Sequence, residues 1–422
     1  MQYPTKFYRI AKSDRNIETH QTTEYTSVIT SVKRGATKFA QSEFQQNTSS
    51  IHYPKVIHLD PDFKSLNKRQ RNAALRCLYG LTKHANDQRT SGLTQIQLVH
   101  AIGTTLLGVD LDITEAALDS NSLAVLKKQF KGVKVAVRQR LFQLFTLTEL
   151  MLDPLPERAT ETLEDTAEAL SVHDSFIDIA REYSQGAYGI AASDLARKGY
   201  LGNPDLVKQG GKLMHVHKTL TDPFELDEDD PDLLEQWMSL EQCPAGTLGR
   251  NIWEYYKGRG FVFTGQKGSV NPSIAQHDWI HLLCDYNTTI EGELEVFSFI
   301  GSAIPDVKGF SFLVAIVALF ETGRLESWGG GVLNADTGHL DIPGMPERVA
   351  DAIRRGRICN KDVMYGIDYF KYKDDCIDDV RSHLGIVNKD QDIDSPGVWH
   401  PDGITSYQRE NGNKMYQPPL TL

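Results

Sequence analysis

The stretch AQHDWIHLLCDYNTTIEGELEVFSF, residues 275–299, decides how this chain is read. Apolar residues recur at helical spacing on both sides of Asn287, Thr288 and Thr289, which interrupt the run. The pattern predicts two helices joined by a polar turn. Into this apolar setting the chain puts His277, Asp278, His281 and Glu293. On a helix, His277 and His281 lie one turn apart, offset by roughly 40°, with Asp278 on their flank. A reversal at the turn lets Glu293 face back from the second helix. Two imidazoles and two carboxylates make a donor set for a divalent metal, zinc before iron or manganese. The plain alternative is a packed helix pair with a few hydrogen-bonded polar groups. Three ionisable groups within one apolar turn are, however, costly to bury unpaired. A zincin-like metallohydrolase is a further reading. Those enzymes use HExxH, and here Asp278, one methylene shorter, stands in the slot of the general-base glutamate.

The helical pattern continues outward. Toward the N-terminus, TLGRNIWEYYKGRGF has Thr247 as its N-cap and ends at Gly258 or Gly260, and Ser273 after Pro272 is the candidate cap of the histidine helix. Toward the C-terminus, residues 310–320 read FSFLVAIVALF, apolar on all sides and so a buried helix. MPERVADAIRRGRI and DDCIDDVRSHLGI follow. In the first half, SLNKRQRNAALRCLYGLTKHA, GLTQIQLVHAIGTTLLG and the long run over residues 122–152 are helical by period. Pro154 and Pro156 end that run, and Asp174 can cap a later helix. Strand signals are sparse, so an all-α fold is expected. The expected layout is a polar arm over residues 1–58, irregular or disordered, then a helical bundle over 59–202. An acidic linker over 203–232, a metal-binding helical domain over 233–390 and an irregular tail over 391–422 complete it.

Bulk composition narrows the function classes. The chain has 422 residues, of which 40% are hydrophobic and 24% charged, the composition of a globular protein with a sizeable core. A formal net charge of −11 argues against a nucleic-acid partner. The five cysteines, Cys77, Cys243, Cys284, Cys359 and Cys376, form no CxxC pair and suit a reducing compartment. No apolar leader opens the chain, and Asp14, Glu18 and Glu24 oppose a mitochondrial one. The apolar run over 310–320 is shorter than the roughly 20 residues that span a bilayer.

Further residues around the His277 stretch form recognisable motifs. The order His277, Asp278, two residues, His281, eleven residues, Glu293 accompanies Gly246-Thr247-Leu248-Gly249 with Tyr255, and Gly292 just before Glu293. Arg354, Arg355, Gly356 and Arg357 lead to an acidic segment ending in Leu384-Gly385-Ile386. In these features residues 233–387 resemble the family of coenzyme Q (ubiquinone) biosynthesis protein 4. The resemblance implies an all-helical domain that holds a divalent metal through His277, Asp278, His281 and Glu293. It implies oxidative decarboxylation of a polyprenylated hydroxybenzoate-type ring, or a non-catalytic, lipid-binding scaffold role in a quinone-biosynthesis complex. A prenylated quinone precursor, other quinone-biosynthesis proteins and the membrane surface are the partners it implies, for a cytoplasmic, peripheral homo-oligomer. Arg354, Arg355 and Arg357 are candidates for anion or membrane contact, with a solvated helix face as the plain alternative. Residues 144–172 resemble the helical module of TerB-like tellurite-resistance proteins, but lack the Asp-Gly turn after Asp153.

Other signals carry less. His215 and His217 have no carboxylate nearby in sequence. The glycine-rich segment from Ser327 lacks a phosphate-loop pattern and reads as a flexible loop. The acidic run from Asp227 to Asp232 lacks the glycine and terminal glutamate of a calcium loop. Cys284 has no evident activating environment.

Overall fold

A computed structural model describes residues 57–82, 92–110, 122–213, 226–328 and 333–419. The expected polar arm, apart from its last residues, and the pair His215 and His217 lie outside the described residues. Helices dominate, as the all-α expectation requires. The first half holds α1 (Lys68–Leu81), α2 (Gly92–Ala101), α3 (Ser122–Phe130), α4 (Val135–Leu150), α5 (Glu157–Leu170), α6 (Phe176–Ser184), α7 (Tyr188–Lys198) and α8 (Pro204–Leu213). The second half holds α9 (Pro231–Met238), α10 (Leu248–Arg259), α11 (Pro272–Cys284), α12 (Ile290–Ala303), α13 (Phe310–Phe320), α14 (Met345–Cys359), α15 (Ile377–Leu384) and α16 (Ser406–Asn411). Among the described residues the named strands are one antiparallel pair, β1 (Ser327–Trp328) and β2 (Leu333–Asn334), with Trp328 opposite Leu333. No helix of the described residues is long and apolar enough to cross a membrane.

Local signals set the helix ends. Thr247 caps α10 by accepting from the Arg250 N–H, and Gly260 closes it in the left-handed region at φ 70°. The cap of α11 is Asn271 and not Ser273: its side chain accepts from the N–H groups of Ser273 and Ile274, and Pro272 sits inside the first turn. Asparagine and serine cap about equally well, but a cap at Asn271 puts Pro272 in the first turn, where proline loses nothing because that N–H has no helical partner. The long run over 122–152 breaks into α3 and α4 at Gly132, whose φ of 86° ends a helix.

Residues Val56–Leu422 form one compact unit, so the helical regions either side of residues 203–232 share a core instead of folding as separate bodies. Helix α12 packs along α13 and α14, while α14 lies against α2 and the π-helical turn Ile102–Leu106 that follows it, and α13 lies against α4. Polar bonds tie the halves together. Arg140 Nη2 donates to the carbonyls of Ile304 (3.1 Å) and Pro305 (2.8 Å), and Arg324 Nη1 donates to the Leu150 carbonyl at 2.9 Å. Asp153, at the TerB-like turn, lies 3.7 Å from Arg324 Nη2, so its charge is met by a guanidinium. Within the described residues, the acidic run from Asp227 is structured as well. Asp230 caps α9 by accepting from the Leu233 N–H, and Asp229 accepts from the Lys267 N–H at 2.8 Å. The tail carries α16 and closes on α10 through the Asn413 N–H, which donates to the Lys257 carbonyl at 2.7 Å.

Candidate metal centre

The centre is built on α10, α11 and the start of α12. Helix α11 presents His277, Asp278 and His281 on one side, and ends at Asp285, left-handed at φ 57°. The chain then turns on Asn287, whose side-chain oxygen accepts from the Thr289 N–H (2.9 Å) and hydroxyl (2.8 Å). Thr289 is the N-cap of α12. Gly292 follows where a Cβ would lie 2.1 Å from the Asn287 carbonyl oxygen and 2.4 Å from its side-chain oxygen. Only glycine lets the new helix start this close to the turn, and that closeness aims Glu293 back at α11.

Three of the four predicted donors form one group, and Glu293 approaches both histidines. The donor atoms of His277, Asp278 and His281 lie within 4.8 Å of one another. His277 Nε2 is 3.5 Å from Asp278 Oδ1 and 3.7 Å from Glu293 Oε2, and His281 Nε2 is 3.3 Å from Glu293 Oε1. Donors held about 2.0–2.2 Å from one tetrahedral ion sit roughly 3.3–3.6 Å apart, so these separations suit a shared cation. The hydrogen bonding also suits one. The Nδ1 of His277 meets the Ile274 carbonyl, and that of His281 meets the Tyr286 carbonyl at 3.3 Å. A carbonyl only accepts, so each Nδ1 carries a hydrogen and each Nε2 is the nitrogen that faces the centre. His281 Nε2 and Glu293 Oε2 are both buried and neither has a hydrogen-bond partner. The ion-pair approach of His281 to Glu293 is thus close without being aligned as a hydrogen bond. Two inward-facing acceptors without donors are the arrangement that a cation resolves.

Electrostatics follow from burial. His281 is fully buried, Asp278 and Glu293 nearly so, while the His277 side chain keeps 12% exposure and marks the side on which the centre is most open. Burial opposes the charge on His277, but Asp278 and Glu293 outweigh it and hold its pKa above the ordinary histidine value. Burial likewise opposes the charge on Glu293, and His281 and His277 outweigh it, holding the carboxyl below its usual range.

Sequence reasoning named Tyr255 as part of a motif but did not place it, or the rest of the shell, around these donors. Tyr256 donates to Asp278 Oδ2 at 2.6 Å and Tyr255 to Oδ1 at 3.3 Å. Burial, then Asp278, keeps both phenols protonated far above neutrality, so they act as donors. Tyr255 also stacks on His281, and His277 stacks on Phe297 with ring centroids 5.3 Å apart. Phe297 in turn meets Trp328 of β1, which touches Phe312. The segment from Ser327 therefore enters a short hairpin whose tryptophan joins the aromatic wall beside His277; residues 329–332 lie outside the described residues. The available signal was the Tyr-Tyr pair with Arg259 one helical turn after Tyr255.

The arginines of α14 are placed differently from the expectation of anion or membrane contact. Arg354 is buried and pairs with Asp351 at 2.6 Å, and Arg355 is buried and donates to the carbonyls of Val387 and Cys284. The Arg357 side chain keeps 8% exposure and faces Asp62. Helix α14 is enclosed by α12, α2 and the π-helical turn, so its charges are spent on internal partners. Cys284 is also buried, and burial pushes its thiol up to about 12, so it is unreactive. Comparison of the chain with protein-family models, with curated proteins and with solved structures found no match.

Proposed function

We propose that this chain binds a divalent cation through His277, Asp278, His281 and Glu293, and uses it on the carboxylated ring of a polyprenylated hydroxybenzoate-type precursor in quinone biosynthesis. The grouping of three donors with Glu293 approaching both histidines, and with His281 Nε2 and Glu293 Oε2 lacking hydrogen-bond partners, carries the metal part of the reading. The substrate part rests on the resemblance of residues 233–387 to the coenzyme Q biosynthesis family. When bound, the cation supplies Lewis-acid stabilisation of charge on ring carboxylate and phenolate oxygens. The chain does the rest. Tyr255 and Tyr256 hold the Asp278 carboxylate in one orientation, which is how outer groups tune a ligand. Phe297, Trp328 and Phe312 supply an aromatic wall beside His277 against which a ring can pack. Overall the ring carboxyl is replaced by a hydroxyl. Dioxygen is the oxidant, a reductant supplies two electrons and two protons, and carbon dioxide and water leave. The protein works at the membrane surface, where such a precursor resides.

The scaffold reading draws on the enclosure of the donors, since His281 is fully buried. The test is a lipid extract, analysed by mass spectrometry, from the source cell with and without this gene, and with His281→Ala as the only copy. Accumulation of a carboxylated prenylated precursor, uncleared by His281→Ala, is expected. An unchanged quinone profile overturns the substrate assignment. Clearance by the His281→Ala copy moves the protein to the scaffold reading.

A further inference from the structure

Arg259 is fully buried, yet its hydrogen-bond partners are neutral. Its Nε donates to Thr288 Oγ1 at 3.2 Å, its Nη2 donates to the Val398 carbonyl at 2.5 Å, and its Nη1 has no hydrogen-bond partner. The guanidinium lies against two aromatic faces, 4.1 Å from the Tyr255 ring centroid and 5.2 Å from that of Trp399. Burying a cation this way is costly, and a methionine or leucine would fill the space at less cost to folding. The position makes sense through what the guanidinium touches. Tyr255 is the ring that donates to Asp278 and stacks on His281. Thr288 lies in the turn that launches α12 and Glu293, and its hydroxyl is held from the far side by Gln408 and the Gly403 carbonyl. One side chain thus braces the supports of Asp278, His281 and Glu293 at once. It also joins them to the C-terminal segment through Val398, Trp399 and, by way of Thr288, Gln408.

We propose that Arg259 is a positioning residue of the metal centre. Its planar fork fixes the Tyr255 ring and the Thr288 turn, and its charge over the Tyr255 face strengthens that phenol as a donor to Asp278. This rests on the metal-binding reading above, and goes beyond it by assigning a role to a residue that touches none of the four donors by hydrogen bond.

The experiment uses the full-length protein with cobalt(II) and zinc ions as the probes. Zinc affinity is read by competition with a chromophoric chelator, ligand geometry by the visible spectrum of the cobalt form, and folding by thermal melts. Arg259→Met is expected to weaken zinc binding about 10- to 100-fold, the usual effect of disturbing groups behind a ligand, and to shift the cobalt bands. Arg259→Lys, which keeps the charge and loses the fork, is expected between Met and wild type. Tyr255→Phe is expected to resemble Arg259→Met, and the double variant to be no worse than either, because both act along one path. Unchanged affinity and spectrum in Arg259→Met, or additive losses in the double variant, overturns the proposal. Should Arg259→Met fail to fold, Arg259→Lys decides: wild-type affinity and spectrum there overturn it. A wild-type protein that binds neither ion overturns the metal reading itself, and this role with it.

Discussion

Helix α14 and the α11–α12 pair each bury several charged side chains. In α14 each buried arginine has a partner, although Arg348 Nε and Arg355 Nη1 are left without one. Arg348 donates to Glu295 at 2.6 Å, Arg354 to Asp351 at 2.6 Å, and Arg355 to two backbone carbonyls. At α11–α12 the groups face one another and stop short: two lone-pair-bearing atoms are left without hydrogen-bond partners. Both regions contain ionisable groups on apolar helices, and both were candidate sites in the sequence. The difference teaches that buried charge is not by itself a sign of function. What distinguishes the His277 centre is converging acceptors that no donor meets.

The largest expected effect breaks the closed side of this comparison. Arg348→Met leaves Glu295, 1% exposed in its side chain, without its partner. Loss of one member of a buried pair costs about 3–5 kcal/mol, to be read from urea unfolding. The double variant Glu295→Leu with Arg348→Met is expected to recover most of that. If Arg348→Met alone unfolds like wild type, the α14 pair is not the closed structural unit described here.

The next effect tests the open side. Zinc at 100 times its dissociation constant is expected to stabilise the wild-type protein by about 2.7 kcal/mol, seen as a rise in melting temperature. His281→Ala is expected to abolish that rise while still folding, whereas Arg348→Met keeps it. A metal-dependent rise that survives His281→Ala would place the ion elsewhere.

A last effect, at most comparable to the zinc shift, concerns a carboxylate near the closed cluster. Asp60 is buried, and burial pushes its carboxyl from an ordinary 3.8 up to about 7, against the pull of Arg357. Between those values the folded protein holds a proton that the unfolded chain has released. The stability Asp60 contributes is therefore fully present below about pH 4 and is lost as pH rises through about 7, with a slope of at most about 1.4 kcal/mol per pH unit. Urea midpoints at pH 5 and pH 8 check this. Wild type is expected to lose more stability over that interval than Asp60→Asn, and parallel profiles would show that Arg357 dominates the site instead.

Much of the candidate centre was legible because its signals are local. The four-residue spacing of His277 and His281, the polar turn at residues 287–289 and the Gly292-Glu293 step each act within a few residues of chain. The cap of α11 was misplaced by two residues because Asn271 and Ser273 are both good capping residues. The burial of Arg354, Arg355 and Arg357 was not legible, because a helical period shows which residues share a face and not what covers that face. The joining of the two halves was hidden for the same reason. It depends on Arg140 reaching the carbonyls of Ile304 and Pro305, more than 160 positions away.

By itself the sequence determined the helical class, the Thr247 cap of α10, the polar turn between α11 and α12, and the grouping of His277, Asp278 and His281 on one side of α11. Those outcomes rest on backbone hydrogen bonds and side chains within about a turn of one another, and such interactions form wherever the chain goes. Only the tertiary structure decided that Tyr255, Tyr256 and Arg259 stand behind the donors, that α14 spends its charges inward, and that both halves share one core. These depend on which surfaces meet across long chain separations, where burial and the need to satisfy buried polar groups choose among many partners that the linear order leaves open.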